Sequence, residues 1–185
     1  MTTILGISGS LRKASFNSAL LHAAVDLMPE GATLDANGID GIPLYNADEE
    51  AAQGIPPAVA ALKRKLLVAD GLLLVTPEYN NSLPGAFKNA IDWMTRPADE
   101  IARHFGGKPV AVIGASPGGF GTILSQNAWL PVLRTLKARP WYDGRLMVSR
   151  AHTLMDGHDA LSDPATRERL AGFLAGFVEF ARRQA

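Results

Sequence analysis

The chain has 185 residues, 47% of them hydrophobic and 19% charged, which is the balance of an ordinary globular domain long enough to bury a full core. Lys plus Arg and Asp plus Glu stand at 18 each, so no basic field argues for nucleic acid and no acidic field for a basic partner. Cys is absent, which closes disulfides, thiol nucleophiles and iron–sulfur ligation and leaves redox chemistry to a bound cofactor. No apolar run approaches the ~20 residues of a membrane span and Met1-Thr2-Thr3 opens no leader, so a cytoplasmic protein is expected.

Ile4, Leu5 and Ile7 predict a short buried strand. Leu20, Ala23, Ala24, Leu27 and Met28 then recur at the spacing of one helix face. Between them, residues 6–17 carry Ser8, Ser10, Arg12, Ser15 and Asn17 and no carboxylate. A helix N-terminus offers unpaired N–H groups and partial positive charge, so this loop reads as an anion cradle, with Arg12 as a forked cation for phosphate oxygens. The plainer alternative makes Ser15 or Asn17 a helix cap and Arg12 a solvated charge. Neither G-x-x-x-x-G-K-[ST] nor G-x-G-x-x-G is present, which disfavours a nucleoside triphosphatase.

Pro29-Glu30-Gly31 stops the first helix, and residues 33–39 are a weak second strand. Residues 42–57, with three prolines and the acidic triplet Asp48-Glu49-Glu50, read as a solvated surface loop. Helix resumes at Pro57, with Val59, Leu62 and Leu66 on one face. Leu72-Leu73-Leu74-Val75 is the clearest strand and runs into the polar stretch 76–85, after which Phe87, Ala90, Ile91 and Met94 mark a helix ended by Arg96-Pro97. A third apolar run, 109–115, leads through Ser116-Pro117-Gly118-Gly119 into a helix reaching Leu136. Gly118 and Gly119 suit either close approach to a flat ligand or a plain tight turn. Leu146-Met147-Val148 suggests a last strand, and residues 165–183 a last helix with a core stripe from Leu170 to Ala181.

Strands alternating with helices predict a doubly wound five-stranded parallel sheet of order 2-1-3-4-5, helices on both faces, as one domain over 1–185. The polar loops after strands 1, 3 and 4 then face one crevice.

Gly9-Ser10-Leu11-Arg12-x-x-Ser15-x-Asn17, with Pro77-Glu78-Tyr79-Asn80-x-Ser82-x-Pro84-Gly85-x-x-Lys88-Asn89-Ala90-Ile91-Asp92-Trp93, resembles the NADPH-dependent FMN reductase family of quinone, chromate and azo-dye reductases. The resemblance covers residues 3–151 and implies a flavodoxin-like fold, non-covalent FMN, NADPH or NADH as co-substrate, a small electron acceptor, and a homodimer or homotetramer. By resemblance, Ser10, Arg12, Ser15, Phe16 and Asn17 hold the phosphate. Pro77, Glu78, Tyr79 and Asn80 line the isoalloxazine edge and ribityl chain, and Ser116, Gly118 and Gly119 approach the ring. Many relatives carry Gly and Arg where this chain has Thr122 and Leu124.

No side chain in these loops is expected to be a nucleophile or an obligatory base, so the flavin carries the chemistry and the kinetics should be ping-pong. Glu78 should order its own turn and not shuttle an essential proton. The rival is a flavodoxin-type electron carrier without its own substrate, which the balanced surface charge does not favour. His152, Asp156, His158 and Asp159 form the one cluster of metal-ligand type and are set aside as loop residues. Asp92-Trp93 is read as structural, and Trp129 and Trp141 as core or subunit contact.

Overall fold

A computed structural model describes residues 1–156 and 160–184. Its sheet is built from β1 (Thr2–Ser8), β2 (Ala32–Asn37), β3 (Gly71–Val75), β4 (Pro109–Ala115), β5 (Arg139–Pro140) and β6 (Met147–Val148), every pairing parallel. The order is β2-β1-β3-β4-β5, with β6 also on β4, so the doubly wound arrangement expected from the sequence is the one observed. The helices are α1 (Phe16–Asp26), α2 (Ala47–Gln53), α3 (Pro57–Val68), α4 (Gly85–Met94), α5 (Ile101–Phe105), α6 (Ile123–Thr135) and α7 (Pro164–Arg182).

Side chains alternate across each strand, so β3 sends Leu73 and Val75 into one core and Leu72 and Leu74 into the other. α1 and α7 cover the first face; α3, α4 and α6 cover the second. Along α7, Leu170, Leu174, Phe177, Val178 and Ala181 are all at most 1% exposed, and each fully buried large side chain is worth roughly 1.5–3 kcal/mol. α1 ends at Asp26, two residues short of the apolar pattern; Leu27 is its C-cap and Leu27 and Met28 still pack on the core.

Three expectations need correction. Residues 42–57 are not all loop, because Asn46 caps α2 by accepting from the N–H of Asp48 at 3.0 Å. The acidic triplet fills the first turn of α2, where the helix dipole favours negative charge. Nor is the triplet merely solvated: Glu50 accepts from Arg96 Nε at 2.8 Å and from the Tyr45 hydroxyl at 2.9 Å. The Arg96 hydrogen bond holds the Glu50 carboxyl below the usual carboxylate range, and the same bond pushes Arg96 up.

The five-strand expectation also needs amending: the last strand expected at 146–148 is β6, and the short β5 before it was not expected. β5 pairs with Pro109 and Val110, β6 with Gly114 and Ala115, and Trp141 N still donates to Val110 O at 2.8 Å before the chain leaves the sheet. The Trp141 side chain packs on α7, where its ring meets Phe173 edge-on at 5.0 Å and Phe177 at 5.9 Å. Finally, α5 lies in a stretch that the sequence left without an element.

Candidate active site

The site is assembled where β1, β3 and β4 end. Gly9 starts the first loop against α4, and a Cβ there would fall 2.1 Å from the Phe87 ring, so only glycine lets the loop cross this close. Ser10 and Ser15 are buried. Ser15 caps α1, its Oγ accepting from the N–H groups of Asn17 at 3.2 Å and Ser18 at 3.3 Å. Asn17 reaches across to β4, donating from Nδ2 to Ala115 O and accepting from Ala115 N, both at 2.9 Å. Arg12 is exposed, donates to Ala14 O at 3.2 Å and lies 5.8 Å above the Phe16 ring. Capping and anion binding are thus compatible: Ser15 and Asn17 fix the helix end, and the guanidinium stands beside it.

The second loop leaves β3 through buried Thr76. Its hydroxyl donates to Pro77 O at 3.0 Å, meets Ser125 Oγ at 2.7 Å and accepts from Trp129 Nε1 at 3.1 Å. Tyr79 and Ser82 exchange backbone hydrogen bonds at 3.1 Å, and the turn between them places Asn80 and Asn81 at φ 51° and 61°. Asn tolerates this left-handed region better than most residues. The turn leaves Tyr79 48% exposed. Glu78 Oε2 accepts from the N–H groups of Leu124 at 2.8 Å and Ser125 at 3.0 Å.

The third loop leaves β4 through Ser116, whose Oγ donates to Gly121 O at 2.5 Å. Gly118 and Gly119 are exposed, and a Cβ on Gly119 would meet nothing within 4 Å. Behind them Gly114 packs so tightly that a Cβ would lie 2.1 Å from both Thr76 O and Thr122 Oγ1. The second and third loops are therefore held against each other.

Of the residues singled out from the sequence, Ser10, Arg12, Ser15, Phe16, Asn17, Pro77, Glu78, Tyr79 and Ser116 line one cavity of about 60 Å³. Asn80, Gly118 and Gly119 stand outside this enclosed part. The enclosed space is small, and the loops around it stand open. Arg12 and Glu78 are the charged groups lining it, and the Glu78 carboxylate is engaged by α6. A wider cleft of about 140 Å³ opens between β5 and β6, beside Val112, Trp141 and Tyr142, but it lies at the sheet edge and away from the ends of β1 and β3. Thr76, Ser125 and Trp129 support the site without a sequence signal, since nothing in their spacing announces a shared hydroxyl.

Residues 2–153 match the NADPH-dependent FMN reductase family. The chain belongs to that family. It is 43% identical over 180 residues to NAD(P)H-dependent FMN reductase PA1204 of Pseudomonas aeruginosa, covering 97% of this chain and 95% of that one. It is 36% identical to the 2-hydroxy-1,4-benzoquinone reductase of a Burkholderia species, over 95% of this chain and 94% of that one. Among solved structures, the flavoenzyme NAD(P)H:(acceptor) oxidoreductase FerB of Paracoccus denitrificans superposes with a TM-score of 0.87 at 33% identity, over 100% of this chain and 99% of that one.

The family's cofactor fits the residues of this FMN reductase relative. A phosphate needs donors and a cation without a competing carboxylate, and the first loop offers hydroxyls, a helix N-terminus and Arg12. A flavin ring needs hydrogen bonds and exclusion of water more than charge, and Pro77, Tyr79, Asn80 and the two glycines supply uncharged walls. Trp129 proves to be a fully buried core residue and Trp141 a core contact of α7. Trp93, 1% exposed, donates to Pro43 O at 2.9 Å, and Asp92 pairs with Lys88 at 2.6 Å, which makes both structural. His158 and Asp159 lie outside the described residues, and Asp156 Oδ1 accepts from Ala160 N at 2.9 Å.

Proposed function

We propose that the protein is an FMN-dependent NAD(P)H oxidoreductase that passes two electrons to a quinone or similar small acceptor. The observation that carries this is the placement of a single guanidinium at the N-terminus of α1, opposite two loops whose one charged side chain lining the cavity, Glu78, is engaged by α6, at the carboxyl ends of β1, β3 and β4. FMN bound there supplies the electron transfer that a chain without Cys cannot.

The residues divide the work. Ser10, Arg12 and Ser15 hold the phosphate, Phe16 backs the guanidinium, and Asn17 fixes the helix end to β4. Pro77, Glu78, Tyr79 and Asn80 border the ring edge and ribityl chain, while Ser116, Gly118 and Gly119 border the ring. No His or Lys lines the cavity among the described residues, and the Glu78 carboxylate is taken up by the start of α6, so no side chain there is assigned the part of an obligatory base. Nicotinamide and acceptor take turns in the same open space between the loops, which makes the kinetics ping-pong. The 185 residues act as one domain, in the cytoplasm, as a homodimer or homotetramer. Trp129 is fully buried and Trp141 packs on α7, so neither tryptophan is a subunit contact in this reading. No described helix is long and apolar enough to cross a membrane.

Steady oxidation of NADPH or NADH by purified protein with a benzoquinone acceptor tests the assignment. Parallel double-reciprocal lines are expected. Oxidation that needs a second redox protein would return the chain to the carrier class, and intersecting lines would remove the ping-pong scheme.

A further inference from the structure

α6 begins without a cap of its own. Thr122 occupies the N-cap position, makes no side-chain capping bond, and has its hydroxyl engaged by Gln126 Nε2 at 3.1 Å. A helix start leaves several N–H groups orphaned, and here two of them are satisfied from elsewhere. Glu78, 46 positions away in sequence, places Oε2 on the N–H groups of Leu124 and Ser125. The acceptor is an anion at the positive end of a helix dipole, so each bond is charge-assisted. One layer deeper, Thr76 joins the same two elements through Ser125 Oγ and Trp129 Nε1. The wall of the site from Thr76 to Tyr79 is thereby fastened to α6 twice, once through a buried hydroxyl and once through a half-exposed carboxylate.

We infer that Glu78 is a positioning residue, acting as the N-cap of α6 from the opposite loop and so setting the height of the Tyr79 turn over the crevice. It neither contacts the phosphate cradle nor supplies a proton. The inference rests on the flavin reading of the site. Its signature follows from geometry: a displaced ring wall weakens every ligand that carries the ring, with or without a phosphate, because the first loop is untouched. Reach to α6 then matters more than charge.

The test is a fluorescence-quench titration of the apoprotein with FMN and with riboflavin, for wild type and for Glu78→Gln, Glu78→Asp and Glu78→Ala, well below the melting temperature of each. Glu78→Ala should weaken both flavins by the same factor, at least about tenfold, which corresponds to ~1.4 kcal/mol. Glu78→Gln keeps an oxygen at the same reach and should stay within about threefold of wild type, since a neutral bond retains roughly half the strength. Glu78→Asp keeps the charge but falls one methylene short, and should resemble Glu78→Ala; it serves in its place if Glu78→Ala does not fold. A residue that merely stabilised the fold would lower the melting temperature and leave both affinities alone. Unchanged affinities in Glu78→Ala and Glu78→Asp would overturn the inference. So would a loss confined to FMN, or a Glu78→Gln that binds flavin normally and no longer turns over. Failure of wild type itself to bind FMN would strike the functional proposal instead.

Discussion

Two surface regions of this molecule carry few apolar contacts and are held in opposite ways. The loops after β1, β3 and β4 are tied down by bonds between side chains and main chain that end in the core, Asn17 on Ala115 and Thr76 on Pro77, with Glu78 reaching buried Ser125 at the start of α6 from a half-exposed position. The strap that contains α2 is tied down by side chains nearer the surface, with Glu50 on Arg96, 13% and 36% exposed, Tyr45 on Glu50, and Asn89 bonding both Pro43 O and Tyr45 N. A buried main-chain partner has no water to turn to, so breaking such a bond leaves an unsatisfied group. Bonds nearer the surface lose less when broken, because water and salt can take their place. Geometry that must be kept is entrusted to the first kind of bond.

The sharpest way to break this contrast is Asn17→Ala, which orphans both the N–H and the C=O of buried Ala115. A loss of about 2–4 kcal/mol in unfolding free energy is expected, since each buried unsatisfied group costs about 1–3 kcal/mol. Urea unfolding measures it, and a loss below about 1 kcal/mol would place Asn17 with the surface class.

Next in size, Arg12→Ala should weaken FMN roughly 10- to 150-fold, the value of about 1.5–3 kcal/mol for hydrogen bonds to a charged group. Riboflavin affinity and the unfolding midpoint should both stay where they are, because Arg12 is exposed and makes only a local bond to Ala14. FMN and riboflavin binding equally well to wild type would remove Arg12 from the cradle.

Smallest is the response of the strap. The folded-state pKa of Glu50 is depressed below 4.5, so its contribution is present above that value and is lost as the pH falls from there through the folded pKa. The acid limb of the stability curve should therefore flatten in Glu50→Gln, and the difference from wild type should shrink in high salt. An effect larger than that of Asn17→Ala would invert the comparison.

What the sequence discloses follows the same division. The strands after residues 71 and 109 were legible because both faces are covered, so they read as unbroken apolar runs, and α7 was legible because one face of it is core. α2 buries none of its residues and so carries no hydrophobic period, and α5 is five residues long, too short to show one. β5 is two residues long and includes a proline, so no local window marks it as a strand, and Trp141 beside it packs on Phe173 and Phe177, which lie far along the chain. In the site, the residue types suggested an anion cradle, and the two long motifs carried the family. The fastening of Glu78 to Leu124 and of Asn17 to Ala115 was hidden, because these pairs lie 46 and 98 positions apart.

The interruption between β5 and β6 has a further effect on how the chain behaves among its neighbours. A sheet that ends on a long straight strand presents a row of free N–H and C=O groups on which another chain can add itself. Here the outermost row consists of two dipeptides, Arg139–Pro140 and Met147–Val148. Pro140 has no N–H to offer, Trp141 gives its own to Val110 O, and residues 142–146 lie between the two pieces. An incoming segment would find a ladder with its middle rungs missing. The interruption thus does more than shorten the sheet: it leaves a side poorly suited to growth.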